Sequence, residues 1–282
     1  MGKPTDPAVA AEETALPHLR ETRDAFDSVA ADYDGPRGNN ELIQDMRVEM
    51  WAWLAKTFSP GGRLLDLGCG TGLDAVHLAK LGYRVTAADW SPMMVRRTAD
   101  RAAAEQVGEQ VSAVNVGAHE LNHMHDVAAF DGIYSNLGPL NCVPDLADVG
   151  RECARLLKPG GALVFTVIGR YCPWEVAHYV RQRRWARAKV RFARAVVPVG
   201  MNNHTIWTRY YSPREFYKRF EALFSLQRIR GLCVFAPPPY ITSVRQKCPR
   251  LYRRLWALDR MLAGLPVIRK MGDHFLIVMK KR

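Results

Sequence analysis

The pattern of apolar and polar positions changes rhythm at Gly61 and again after Gly169. Over residues 22–57, Phe26, Val29, Ala30 and Tyr33, then Leu42, Ile43, Met46, Met50, Trp51 and Leu54, recur at helical spacing. That predicts one or two amphipathic helices, broken near Pro36 and Gly38. From Gly61 short apolar runs alternate with helical segments. Strands are predicted at 63–67, 83–88, 111–116, 130–135 and 162–168, and helices at 74–81, 93–106 and 146–157. Ser91 and Pro92 supply an N-cap and a first turn for the second of these helices, and Lys158-Pro159-Gly160-Gly161 stops the third. Strands and helices alternating at this spacing predict a doubly wound parallel α/β sheet.

After Gly169 the alternation fails. Residues 174–195 read as a long basic helix and 205–210 as a strand. Ser212-Pro213-Arg214-Glu215 has the form of a capping box opening a helix over 213–223. A strand at 225–229, an amphipathic helix at 251–262 and a final strand at 274–279 complete the reading. Residues 1–21 are expected to be a flexible lead. Residues 22–282 are expected to form one domain, with 170–224 inserted as a lid or cap on the substrate side.

Composition narrows the class. At 282 residues and 48% hydrophobic, the chain can bury a sizeable core. No run of eighteen apolar residues predicts a spanning helix. The polar, acidic start lacks the apolar core of a secretory signal. Six cysteines occur with no CxxC pair. That argues against a disulfide framework or a zinc site and for a reducing, cytoplasmic setting. His123 and His125 lack partners at metal-ligand spacing, so no metal is expected. The net charge is +12, and residues 181–194 and 245–254 hold much of the excess. Such a skew suits an anionic partner, or simply a solvated face.

The loop 68–72, Gly68-Cys69-Gly70-Thr71-Gly72, follows the first strand and precedes a helix. Glycines there permit positive φ and close approach of backbone to ligand, at the strand ends where open α/β sheets bind ligands. Dinucleotide enzymes use a similar loop, so the glycines alone do not choose. Asp89, 17 residues beyond Gly72, suits ribose hydroxyls in either class. Asp66 discriminates: a carboxylate just before the loop would repel a pyrophosphate and favour a cationic amino-acid end.

LLDLGCGTG, VTAADWSPMM, FDGIYSNLGPLN and RLLKPGG, in this order, resemble the class I S-adenosylmethionine-dependent methyltransferases of the small-molecule, type 11/25-like group. The resemblance covers residues 22–168. It implies a Rossmann-like seven-stranded sheet whose last strand, HFLIVM, is antiparallel, with a helical insertion after the fifth strand. It implies S-adenosyl-L-methionine as cofactor. Gly68, Cys69, Gly70 and Gly72 would line its methionine part, Asp66 would orient the amino group, and Arg47 would meet the carboxylate. Asp89 would hold the ribose, Trp90 would flank the adenine, and Ala118 and His119 would lie beside it. Gly117 stands where the family often has an acid. Ser135 and Asn136 would sit beside the sulfonium, and Tyr33 would cover the cofactor.

Methyl transfer needs an in-line arrangement of nucleophile, methyl and sulfur, and a general base only where the nucleophile carries a proton. Asn136 and Asn141 are candidates for orienting an acceptor, and His204 and Tyr210 for acid–base or hydrogen-bonding work; packing roles compete for each. The aromatic and arginine-rich segment 171–211 suits a lid over an apolar, acidic or lipid-like small-molecule acceptor. The same composition serves nucleic-acid binding or contact with an anionic membrane surface, and a solvated basic face is the plain alternative. The expected activity is O-methylation of a small molecule. An RNA methyltransferase, a non-catalytic cofactor-binding protein and, more distantly, a dehydrogenase are the rivals. Oligomeric state is left open.

Overall fold

A computed structural model describes residues 7–36 and 38–282. Helix α1 (Pro7–Val29) and helix α2 (Glu41–Thr57) precede the sheet. The expected flexible lead is in part helical: residues 1–6 lie outside the described residues, but α1 begins at Pro7. Leu19 and Thr22 are buried, because the helix packs on the later insertion. Asn40 caps α2, its side chain accepting from the N–H of Leu42 and Ile43 at 3.0 and 3.2 Å.

The alternating region folds as expected. It runs β1 (Arg63–Leu67), α3 (Leu73–Lys80), β2 (Arg84–Asp89), α4 (Pro92–Ala104), β3 (Val111–Asn115), β4 (Phe130–Ser135), α5 (Leu146–Leu156) and β5 (Leu157–Ile168). Ser91 caps α4 by accepting from Met94 N–H. The insertion holds α6 (Pro173–Arg181), α7 (Trp185–Ala188) and an antiparallel hairpin of β6 (Val197–Met201) and β7 (His204–Thr208). The single long helix expected over 174–195 is broken where Arg183 turns to φ 58°. The insertion is therefore a mixed helix-and-hairpin cap. Then follow α8 (Pro213–Tyr217), opened by the expected capping box, β8 (Phe224–Leu232), α9 (Ser243–Lys247), α10 (Pro249–Leu262) and β9 (His274–Lys281).

The seven-stranded sheet has the order β3-β2-β1-β4-β5-β9-β8. The five strands of the alternating region are parallel, and β9, last in the chain, enters antiparallel between β5 and β8. Side-chain parity divides the core. Leu64, Val164, Leu276 and Val278 pack with Met46, Met50 and Leu54 of α2 and Leu78 of α3. Their neighbours Leu65, Leu163, Phe165 and Ile277 point the other way, toward Val149 and Cys153 of α5 and a ring of Phe216, Phe220 and Phe224. The same period of two turns Asp66 and Tyr134 into the α2/α3 layer.

Candidate active site

A cavity of about 260 Å³ opens at the carboxyl ends of β1, β2 and β4. Its floor is the loop after β1. Gly68, Gly70 and Gly72 all have positive φ, at 76°, 56° and 80°. At Gly68 a Cβ would stand 2.3 Å from Pro139, so the close packing of the two loops requires glycine. At Gly70 a Cβ would meet only Tyr33, 4.0 Å away, which leaves the loop backbone open to the cavity.

Asp89 ends β2 and braces this loop. Its Oδ2 accepts from Gly70 N–H and its Oδ1 from Ser91 N–H, both at 2.9 Å. Trp90 and Ala118 form the adjoining wall with His119, whose ring meets Trp90 edge-on at 4.6 Å between centroids. A Cβ at Gly117 would lie 2.5 Å from this imidazole and 3.1 Å from Trp90. The His119 ring thus fills the space in which an acidic side chain at 117 would stand. Burial lowers the His119 pKa, so the ring is neutral at pH 7.

Beneath the loop lies a polar cluster. Asp74, in the first turn of α3, accepts from Arg47 at 2.6 Å, Trp51 at 2.7 Å and Asn136 at 3.1 Å. Asn136 in turn accepts from Thr166 at 2.8 Å. Three groups here are buried and without a hydrogen-bond partner among the described residues: Arg47 Nε, Asp66 Oδ2 and the neighbouring Tyr134 hydroxyl. Burial, then the neighbouring Asp74 carboxylate, pushes the Asp66 pKa well up. An orphaned donor and an orphaned acceptor suit the carboxylate and ammonium of an amino acid, and Asp89 suits a vicinal diol. The residues therefore fit S-adenosylmethionine.

The rest of the cavity is mostly apolar. Leu137, Val143, Ile168, Val199 and Ile206 line it, with Cys142, Thr208 and Tyr210 as the polar groups. Burial pushes the Tyr210 phenol up to about 12 and the Cys142 thiol up to about 11, so both stay protonated. Residues of α1 close the roof: Leu19, Thr22, Arg23 and Phe26. That roof is fastened to the hairpin. Trp207 N–H donates to Thr22 at 3.0 Å, Trp207 Nε1 donates to Glu21 at 2.6 Å, and His18 stacks on Trp207 at 3.6 Å. Asp27 bonds Ser91, and Asp34 bonds Thr71 and Arg101, fixing the roof's other end.

Of the residues singled out in the sequence, Tyr33, Arg47, Gly68, Cys69, Gly70, Asp89, Trp90, Ala118, His119, Asn136 and Tyr210 come together on the cavity wall. Asp66 lies below the loop, and Gly72 caps α3 behind it. Ser135 is buried and donates to Leu67 O at 2.6 Å. Asn141 donates to Ile168 O and Arg209 O and accepts from Ile168 N–H, which commits all its groups to tying β5 to the cap. His204 is exposed beyond the hairpin turn, off the cavity. Among the described residues no arginine of the insertion lines the cavity. Arg191 is buried against Glu175 and Asp273, and Arg170 bonds Glu215 and the Ala193 and Tyr210 carbonyls. Sequence reasoning missed Asp74 and the α1 residues. The acid one position after Leu73 reads only as a helix start, Leu19 falls in the expected lead, and Thr22 and Phe26 lie in a predicted helix to which no site role was given.

Residues 65–165 match the family model for the methyltransferase domain. The chain is 36% identical over 141 residues to the ubiquinone biosynthesis O-methyltransferase of Xanthomonas campestris pv. campestris (strain B100), covering 49% of this chain and 56% of that one. It is 35% identical over the same length to the namesake from Xanthomonas oryzae pv. oryzae (strain PXO99A), with the same coverage. The chain thus spans about half the length of the curated relatives it matches. Among solved structures, the geranyl diphosphate C-methyltransferase of Streptomyces coelicolor A3(2) superposes with a TM-score of 0.56 at 17% identity, covering 83% of this chain and 77% of that one. The [4+2]-cyclase SpnF superposes at 0.55 and 17% identity, covering 83% and 80%. These two show a shared fold.

Proposed function

We propose that this chain, whose residues 65–165 match the methyltransferase-domain model, binds S-adenosylmethionine in the cavity and O-methylates a small, apolar acceptor. The observation that carries the reading is the division of one cavity into two chemistries. A glycine loop with Asp89 and Arg47, and with Asp66 buried below it, suits the cofactor, and it leads into a chamber of Leu137, Ile168, Val199 and Ile206. The matched domain and the O-methyltransferase relatives support the same reading.

When bound, the cofactor supplies a methyl group activated by an adjacent sulfonium. The protein's own part is placement and exclusion of water. Asp89 and the loop N–H groups fix one end, and Asn136, held by Asp74 and Thr166, fixes the surface next to the acceptor chamber. Holding two reactants in line is worth up to roughly 7–11 kcal/mol in favourable intramolecular cases. Among the described residues the acceptor chamber offers no base: Tyr210 and Cys142 keep their protons, and His204 is outside. The acceptor hydroxyl must then lose its proton without help from a chamber side chain, which favours an acidified phenol or an enol over an alkyl alcohol. The acidic group that arginines of the insertion were expected to clamp meets no such clamp, so the proposed acceptor is apolar with an ionisable hydroxyl.

Calorimetry with S-adenosylhomocysteine tests the cofactor half. The wild-type chain should bind it. Asp89→Ala should weaken binding roughly 10- to 100-fold, the worth of hydrogen bonds to a charged group. Unchanged affinity in that variant would remove Asp89 from the site.

A further inference from the structure

Helix α10 carries more apolar surface than the fold buries. Its inner face holds Tyr252, packed with Leu42 and Ala236, and Asp259. The Asp259 carboxylate accepts from the N–H groups of Val234, Phe235 and Ala236, each at 3.0 Å. These contacts fix which side of the helix faces outward. On that outer side Leu251, Leu258 and Met261 are exposed, Met261 at 74%, followed past the helix end by Leu265 and by Val267 at 69%. At the helical period, Leu251 and Leu258 lie on one flank of the outer arc and Arg253 and Arg260 on the other, with Met261 at its centre between Arg250 and Arg254. All four arginines are exposed, and none makes an ion pair among the described residues. Residues 243–272 contain eight Lys and Arg but one acid, Asp259, which points inward.

We propose that this face of α10 docks on an anionic lipid surface. Aliphatic side chains flanked by arginines on a helix already held in place by the fold are what an interfacial helix presents to acidic headgroups and the acyl boundary. A second copy of the chain would set two like-charged faces against each other. A nucleic acid would call for exposed aromatic rings to stack on, whereas the outer arc is aliphatic and Tyr252 is turned inward.

Co-flotation of the full chain with vesicles tests the proposal, using phosphatidylcholine alone and phosphatidylcholine mixed with phosphatidylserine. Binding should be confined largely to the mixed vesicles, and each of Arg253→Ser and Arg254→Ser should weaken it roughly fivefold. Leu258→Ser with Met261→Ser should weaken it at least about tenfold, with thermal stability unchanged. Val127→Ser, an exposed apolar position at 67% on another loop, should have no effect. A dye sensitive to polarity, attached at Met261→Cys, should shift to the blue on mixed vesicles only. Several results would overturn the proposal. They are absence of anionic enrichment, full binding by the Leu258/Met261 variant, a dimer that this variant dissolves, or tRNA binding that outcompetes the vesicles.

Discussion

In the proposed function Asp66 trades stability for binding. Strand parity turns it into the α2/α3 layer, where Oδ2 has no partner and burial raises its pKa. A carboxyl raised in the folded state binds protons more tightly there than in the unfolded chain. Its contribution is therefore most favourable below about pH 3.9 and worsens as pH rises through the folded value. Asp66→Asn removes that penalty. The variant should melt higher than wild type at pH 7 without ligand, yet bind S-adenosylhomocysteine more weakly, having lost the carboxylate for the ammonium. Thermal melts and calorimetry on the same samples check both signs; lower stability with unchanged affinity would contradict the role. Asp66, Asp89 and the glycines were legible because their chemistry is local to a strand end. Asp74 was not, since its importance comes from Arg47, Trp51 and Asn136, which packing brings to it from 23 to 62 residues away. Asn141 and Ser135 sit near the expected place, but main-chain carbonyls claim their side chains.

At the level of elements, the sheet and its connecting helices followed from periodicity, because each strand is short, apolar and bounded by glycine or proline. The cap did not. A run of arginines and aromatics carries a helical pattern whether or not the backbone breaks, and Arg183 and the Asn202-Asn203 turn, both with positive φ, are not marked by glycine. The start of the roof, before residue 22, was missed for another reason: that part of α1 packs against a hairpin almost two hundred residues later. That pairing gives the roof its latch. Trp207→Ala removes the stack on His18 and the bond to Glu21. Together these are worth about 1–3 kcal/mol, so S-adenosylhomocysteine should leave roughly tenfold faster by stopped-flow, with little change in far-UV circular dichroism. An unchanged dissociation rate would mean that the roof does not gate the cavity.

On the scale of the whole molecule, charge was the feature most open to misreading. The net charge of +12 includes cations with unlike duties. Arg191 is buried, donating to Glu175 and Asp273 and to the carbonyls of Gly169 and Asp273, so it joins the cap to the ends of β5 and β9. The guanidinium and His274 hold Asp273 well below the usual carboxylate range. Arg191→Met leaves two buried carboxylates without their cation and should cost about 3–5 kcal/mol in chemical denaturation, whereas exposed Arg184→Ala should be neutral. Arginines that hold the cap in place cannot also clamp a substrate, and for this reason the proposed acceptor is an apolar hydroxyl compound rather than an acid. Transfer of labelled methyl from S-adenosylmethionine, with apolar phenols, aliphatic acids, amines and tRNA offered side by side, tests that conclusion most directly. Label should appear in an organic-soluble phenol ether and vanish in Asp89→Ala; label on tRNA alone, or none on any acceptor while the cofactor binds, would contradict the proposed activity.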